Sequence, residues 1–220
     1  MILNKYHLHM KKTILFSKFL SLAAAAVLCC VSCGSSTSDS GSSGPSVSEA
    51  VDLGLSVKWT PYNVGATAPE EPGDYFAWGE TDTKDDYSNE NCTTYGKEVS
   101  DFSGNAEYDV AAAKWGEEWR MPTKAEFEEL INDCKWEWTK QGEAEGYKVT
   151  GKNGNSIFLP AAGWRNGTSL DYRGADGHYW SSTPHESGSS YAYYLSFDSG
   201  YHSTSWFSRY FGQSVRPVSE

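Results

Sequence analysis

The sequence predicts an α+β fold: only two segments carry helical spacing, and around them short period-two runs follow one another, separated by Gly, Asn and Pro turns. The first run, VDLGLSVKWTPYNVG, predicts a strand with Leu53, Leu55, Val57 and Trp59 along one face. GDYFAWGE, residues 73–80, predicts a second short aromatic strand, and the acidic stretch 81–91 a solvated loop. Asp109 is placed to cap a short helix, VAAAKW, which Gly116 stops. In WRMPTKAEFEELIND, Thr123 and Glu126 fit a capping box, with Pro122 set to pack on Phe127. Phe127, Leu130, Ile131 and Cys134 recur at helical spacing, so this helix lays one apolar stripe on a core while Lys124, Glu128 and Asp133 face water.

Beyond Trp136 and Trp138 the period becomes two. GYKVTG, a Lys152-Asn153-Gly154 turn and NSIFLP predict a hairpin. AAGWRNGTSLDYRGADG reads as a polar link with an Asn166-Gly167 turn. HYWSSTP and AYYLSFDS predict strands, a ring-rich link follows, and QSVRPV closes the chain as a strand that Pro217 puts at an edge.

Residues 1–33 read as a lipoprotein signal peptide. After Lys11 and Lys12 comes an apolar run too short to span a bilayer, and a start at Met10 would give a compact leader by itself. Cys33, preceded by small residues and followed by GSSTSDSGSSGPS, resembles the acylated cysteine of a bacterial lipobox, with Cys30 where leucine is usual. Acyl chains there would fix the protein to the cell envelope, in an outer-membrane, surface-exposed setting, through an N-terminal lipid alone. Residues 34–49 read as a Ser/Gly-rich tether and 50–220 as one domain.

The chain holds 18 Lys and Arg against 29 Asp and Glu, a formal charge of −11, and Lys5, Lys11, Lys12 and Lys18 all lie in the leader, so the domain is more acidic still. Nucleic acid and anionic headgroups are thereby excluded as partners, since either would be approached against the domain's own field. Beyond the leader only Cys92 and Cys134 remain. In an exported protein such a pair invites a disulfide, while the place of Cys134 on the helix stripe equally suits a small buried thiol. His178, His185 and His202 lack the tight spacing of a zinc site, and no metal or other cofactor is expected. The nucleophile elbow, zinc-protease helix and phosphate loop are all missing, and the pairs Glu70-Glu71 and Glu117-Glu118 read as acidic surface, so no catalytic residue is assigned.

What remains is a concentration of rings. Residues 189–211, SSYAYYLSFDSGYHSTSWFSRYF, mix Tyr, Trp, Phe and His with Ser and Gly, the composition of surfaces that grip other molecules: stiff flat contact area with adaptable hydroxyls between. Alternation assigns Tyr193, Leu195 and Phe197 to the core, with Trp180 beside them. Tyr194, Tyr201, His202, Trp206, Phe207 and Tyr210, with His185, are the candidate ligand-binding residues, because contiguous exposed rings are uncommon without a partner. Arg209 and Arg216 read as salt-bridged supports.

The words VDLGLSVKWTPYNVGA, GDYFAWGE, WGEEWRMPTKAEFEELI, GNSIFLPAAGWR, YWSSTP and GQSVRPV, in that order, resemble the Fibrobacter succinogenes major paralogous domain over nearly all of residues 50–220. That resemblance implies a C-type-lectin-like fold, shared with the formylglycine-generating enzymes, with paired termini, two helices and loops displayed on one side. Those enzymes need active-site cysteines late in the domain, and none follows Cys134; Glu-Pro-Asn and Trp-Asn-Asp, the words of calcium-dependent sugar binding, do not occur either. The resemblance carries fold further than function; the ring- and Ser-rich stretch points to a surface-anchored, non-catalytic binding or adhesion protein for an unidentified glycan or protein, ahead of a structural subunit of a surface or fimbrial assembly and, behind both, a formylglycine-generating-type enzyme. In some bacteria the displayed face of a lectin-like domain is diversified by a retroelement that mutates Asn codons, and apart from Glu186 and Trp206 every residue of 185–211 is of a type reachable that way.

Overall fold

The computed structural model describes residues 44–220. The leader, the start at Met10, Cys33 and residues 34–43 of the tether lie outside them. Residues 44–49 belong to the folded chain rather than to the tether: a Cβ on Gly44 would collide with the Trp115 ring, and the Pro45 carbonyl accepts from Trp119 Nε1 at 3.1 Å. Ser46 and Glu49 then close a capping box around the 3-10 turn Val47–Glu49.

The run read as one opening strand folds back on itself. Asp52 accepts from the Gly54 N–H at 2.7 Å and Gly54 takes φ 75°, so β1 (Val51–Asp52) turns into β2 (Lys58–Trp59) with Leu53, Val57 and Trp59 still inward. GDYFAWGE forms no strand. Gly73 and Gly79 both have positive φ, and the residues between them contribute a single bridge, Phe76 to Gln213, while Tyr75, Phe76, Ala77 and Trp78 are all buried.

Helix α1 (Val110–Trp115) and helix α2 (Lys124–Asp133) form where the caps predict them. The buried Asp109 carboxylate accepts from Ala111 and Ala112 and also from Gly104 and Met121, so the cap ties three segments together. Thr123 and Glu126 complete the α2 capping box, and Arg120 clamps Glu126 with contacts of 2.6 and 2.9 Å. Phe127 and Leu130 are fully buried, worth about 1.5–3 kcal/mol each in transfer free energy.

The predicted hairpin is present as β4 (Ala144–Thr150) and β5 (Ser156–Pro160), with β3 (Lys135–Gln141) completing an antiparallel sheet. The polar link contains a second hairpin, β6 (Trp164–Asn166) and β7 (Ser169–Asp171), turning through Gly167 at φ 57°. Next come β8 (Gly177–Pro184), β9 (Tyr191–Asp198) and β10 (Tyr201–Ser208), an antiparallel sheet in the order β10-β9-β8. The ring-rich link is therefore a strand. β11 (Val218–Ser219) ends the chain on β2, so β1 and β11 flank one strand and the ends of the domain meet in one sheet.

The sheet of β8, β9 and β10 is the middle layer. Tyr179, Leu195 and Phe197 pack on one face with Phe127 and Leu130 of α2, Trp59 and Tyr147. Trp180, Ala192 and Tyr194 pack on the other with Trp78, Phe102, Val110, Trp119 and Val215. This is a mixed α+β fold whose central strands are buried on both sides.

Three side-chain expectations change as a result. Cys92 and Cys134 are both free: Cys92 packs with Tyr75 and Tyr87, Cys134 against the α2 side of the core, and no bridge joins them. Burial pushes the Cys134 thiol up to about 11, so it is an inert apolar group at neutral pH. Arg209 and Arg216 are supports without acids. Arg209 donates to the carbonyls of Tyr191, Thr94 and Lys97 and lies over the Trp78 ring at 4.1 Å; Arg216 donates to Asn63 Oδ1, Thr60 O and Phe158 O.

Candidate functional site

Strand β10 organises the candidate site, because its side chains alternate between the two faces of the sheet. Tyr201, Ser203, Ser205 and Phe207 share a face with Ser196, Tyr194 and His178; His202, Thr204 and Trp206 share the other with Phe197, Leu195 and Tyr193. The seven candidate residues are accordingly split into several ring groups rather than one patch.

On the odd-numbered face the rings form a continuous ladder. Tyr172 lies flat on Trp164 (4.7 Å, 10°), Trp164 on His178 (4.2 Å), and His178 on Tyr194 (4.8 Å). The ladder continues from Tyr194 to Phe207 (5.6 Å), Phe211 (4.3 Å), Tyr210 (4.3 Å) and Tyr95 (5.5 Å). Its outermost ring, Tyr172, is 61 % exposed and is the one non-glycine among the described residues with positive φ, at 55°. A bulky residue held in that region is strained, and such strain persists where the surroundings fix it. Tyr201, at the β9–β10 turn and 59 % exposed, shares this face without touching a ring of the ladder, and Ser196, Ser203 and Ser205 lie on the face between them.

Tyr194 is not a surface residue. At 6 % exposed it is a buried rung of this ladder, where burial raises its phenol pKa. Tyr193, assigned to the core by alternation, does share the face of Leu195 and Phe197 but is half-buried, its ring covered by Lys124 and His185 and its hydroxyl held by Glu186. His178 is buried as well; burial lowers its pKa to about 3, so the ring is neutral, and its Nδ1 has no hydrogen-bond partner.

The even-numbered face carries a smaller group near the start of α2. Trp206, 51 % exposed, meets His185 at 5.3 Å and Tyr191 at 5.0 Å, and His185 meets Tyr193 at 5.0 Å. Tyr193 donates to Glu186 at 2.6 Å, which holds that carboxylate below its usual range, and Lys124 sits 4.3 Å over the same ring. His202 belongs to neither group: it stacks on Trp136 at 4.5 Å and 8°, and burial lowers its pKa.

The structure thus adds Trp164, Tyr172, His178, Tyr191, Phe211 and Tyr95 to the candidate residues. For Trp164 and Tyr172 the signal was the Asn166-Gly167 pair, since a turn of that kind between a tryptophan and a tyrosine is the mark of a hairpin that brings its two arms together. Among the described residues no three His, Cys, Asp or Glu stand close enough to hold a metal ion, and no helix is long and apolar enough to cross a membrane.

The family described as Domain of unknown function (DUF8237) matches residues 123–218, from the cap of α2 to β11, a span that contains every ring of the site except Tyr95. No curated protein matches the chain, and no solved structure does.

Proposed function

We propose that this chain is a non-catalytic binding or adhesion protein that grips a glycan or protein ligand through the ladder face of its C-terminal sheet. The observation that carries the reading is the pair of exposed rings on this face, Tyr172 and Tyr201, with Tyr172 backed by the ring ladder that runs through the buried His178 and Tyr194. Flat rings stack on the apolar faces of sugars or fill pockets on a protein, and neighbouring serines bond to whatever polar groups the ligand presents. A neutral His178 inside the stack suits this role, because the ladder keeps one charge state over the whole neutral range.

In the same reading the domain is C-type-lectin-like and akin to the Fibrobacter succinogenes major paralogous domain, its two ends, β1 and β11, brought into one sheet on either side of β2. Acylation at Cys33 anchors it to the cell envelope, in the outer membrane, with residues 34–43 as tether. Retroelement diversification would fall on positions that reach solvent, such as the exposed Tyr201 and the half-buried Ser203 and Ser205, since Ala192, Leu195, Phe197 and Arg209 in the same stretch are sealed in the core. A near-copy template repeat and a reverse-transcriptase gene beside this one would support that part, and their absence would remove it.

The experiment is an array of glycans and surface proteins probed with the protein from Gly34 onward. Retention of a defined ligand, lost in Tyr172→Ala and Tyr201→Ala, is expected. Retention of nothing, or retention that both variants keep, would overturn the reading.

A further inference from the structure

The free edge of β10 is unlike the other strand edges of this domain. Sheet edges are ordinarily protected by charge or proline, because a bare row of N–H and C=O groups pairs with any strand it meets. β3 carries Lys135, Glu137 and Lys140, and β5 and β8 end in Pro160 and Pro184. β10, YHSTSWFS, has eight residues with no charge and no proline, and β9 is its one strand neighbour among the described residues.

The register shows which of its groups are free. Tyr201 pairs with Asp198 across a two-residue turn, and the Arg209 N–H returns to Ser190 O, so the odd-numbered residues bond to β9. His202, Thr204 and Trp206 therefore point their N–H and C=O groups away from the sheet. The end of the free row is closed off where Ser208 O accepts from the Phe211 N–H.

The order of side chains along this edge is chemically palindromic about Thr204: serine on both sides of it, then His202 against Trp206, then Tyr201 against Phe207. We infer that β10 is the contact strand of a two-fold dimer, pairing antiparallel with β10 of a second copy in the register that sets Thr204 opposite itself. Only registers that join even-numbered residues to even-numbered ones can use the free groups, and this one also puts every ring beside a ring and every hydroxyl beside a hydroxyl, the cross-strand pairs that stabilise antiparallel sheets. Isologous contact of this kind closes on itself. Charge selects the same place: a domain in a chain of net −11 repels its own copy over most of its surface, and an uncharged strip is where two copies meet at least cost. Two of the three exposed large hydrophobic residues among the described residues, Tyr201 and Trp206, lie on this strand. Glu128, which accepts from Thr204 Oγ1 at 3.3 Å, is matched by Lys124 of its own helix, also at 3.3 Å, so it brings no unpaired charge to the two-fold. Pairing would run one sheet through both copies and set Tyr201 of each beside Phe207 of the other, joining the two ladders into a wider face.

The test is the molar mass of the protein from Gly34 onward, by light scattering across a concentration series. A mass rising to twice that of one chain is expected. Thr204→Pro, which removes an outward N–H and leaves the β9 ladder intact, should return it to the mass of one chain, as should Thr204→Lys, which sets two ammonium groups against each other on the two-fold. If the proline variant misfolds, the lysine variant decides. Air oxidation should cross-link Thr204→Cys into a covalent dimer and leave Tyr201→Cys, far from its own copy in this register, uncross-linked. A single-chain mass at every concentration overturns the proposal, including the case in which β10 pairs with a strand of some other protein. A double mass that both Thr204 variants retain, or cross-linking through Tyr201→Cys in place of Thr204→Cys, overturns it equally.

Discussion

Arg216 is fully buried without a carboxylate, and its guanidinium donates to three acceptors from two segments far from it in the chain: Asn63 Oδ1 at 2.7 Å and Thr60 O at 3.1 Å in one, Phe158 O at 2.9 Å in the other. Burial lowers its pKa to about 10, which leaves it charged at neutral pH. Arg216→Met should cost on the order of 3 kcal/mol or more in urea unfolding, because buried acceptors lose their donor; Arg216→Lys should recover little of that, since an ammonium cannot reproduce the planar fork. His178 sets a pH dependence. Burial favours its neutral ring in the folded state only, so the unfolded chain takes up the proton first. Stability from this group is complete above the ordinary histidine pKa of about 6.5 and falls as pH drops toward about 3. Between pH 7 and pH 4 the loss should be roughly 3 kcal/mol, and His178→Phe should lack that share of it in denaturant titrations at the two pH values. Neither role was legible in the sequence. In an acidic domain an arginine reads as a salt bridge, and a histidine without metal spacing reads as nothing in particular, because what decides both is burial by residues far away in the chain.

At the scale of elements, the legible parts were those specified by neighbours in sequence. The caps at Asp109 and Thr123, the helical stripe through Phe127 and Leu130, and the turn between β4 and β5 all rest on contacts within a few residues, and all are present. Thr123→Ala should accordingly cost about 1 kcal/mol, measured as a shift in the urea midpoint at constant slope. β10 escaped detection for a definite reason. Period-two patterns are recognised by contrast between apolar and polar faces, and here each face mixes rings with hydroxyls, so the alternation carries no contrast. GDYFAWGE misleads in the opposite direction: its rings are inward, but tertiary contacts bury both of its sides and glycines bend its ends, so it pairs at a single bridge. Residues 44–49 read as tether because their composition is that of a linker, whereas Pro45 is held by Trp119 and Gly44 packs on Trp115. Removing them should lower stability by about 1–2 kcal/mol, or roughly 2–8 °C in the thermal midpoint, by exposing both tryptophans and orphaning one indole N–H.

Over the whole molecule, core and display are separated along a single strand pair. β9 supplies Ala192, Tyr194, Leu195 and Phe197 to the two packed faces, and β10 beside it carries Tyr201 and Trp206 into solvent. Of the seven rings that the sequence puts on display, Tyr201 and Trp206 are exposed, His185, His202, Phe207 and Tyr210 are half-buried, and Tyr194 faces inward because the middle layer is buried on both sides, which no pattern within one strand records. Rings that build a core cost several kcal/mol when truncated, while surface rings away from caps and turns change stability by about 0.5 kcal/mol or less. Trp206→Ala should therefore leave the thermal midpoint nearly unchanged, in contrast to Trp180→Ala in the same sheet. The most direct measurement is ligand retention by the protein from Gly34 onward, compared with a Tyr172→Ala, Tyr201→Ala double variant of matched thermal midpoint. Loss of the ligand at least tenfold in affinity with an intact fold is the predicted result. An unchanged affinity in that double variant would contradict the assignment of the ladder face as the binding surface.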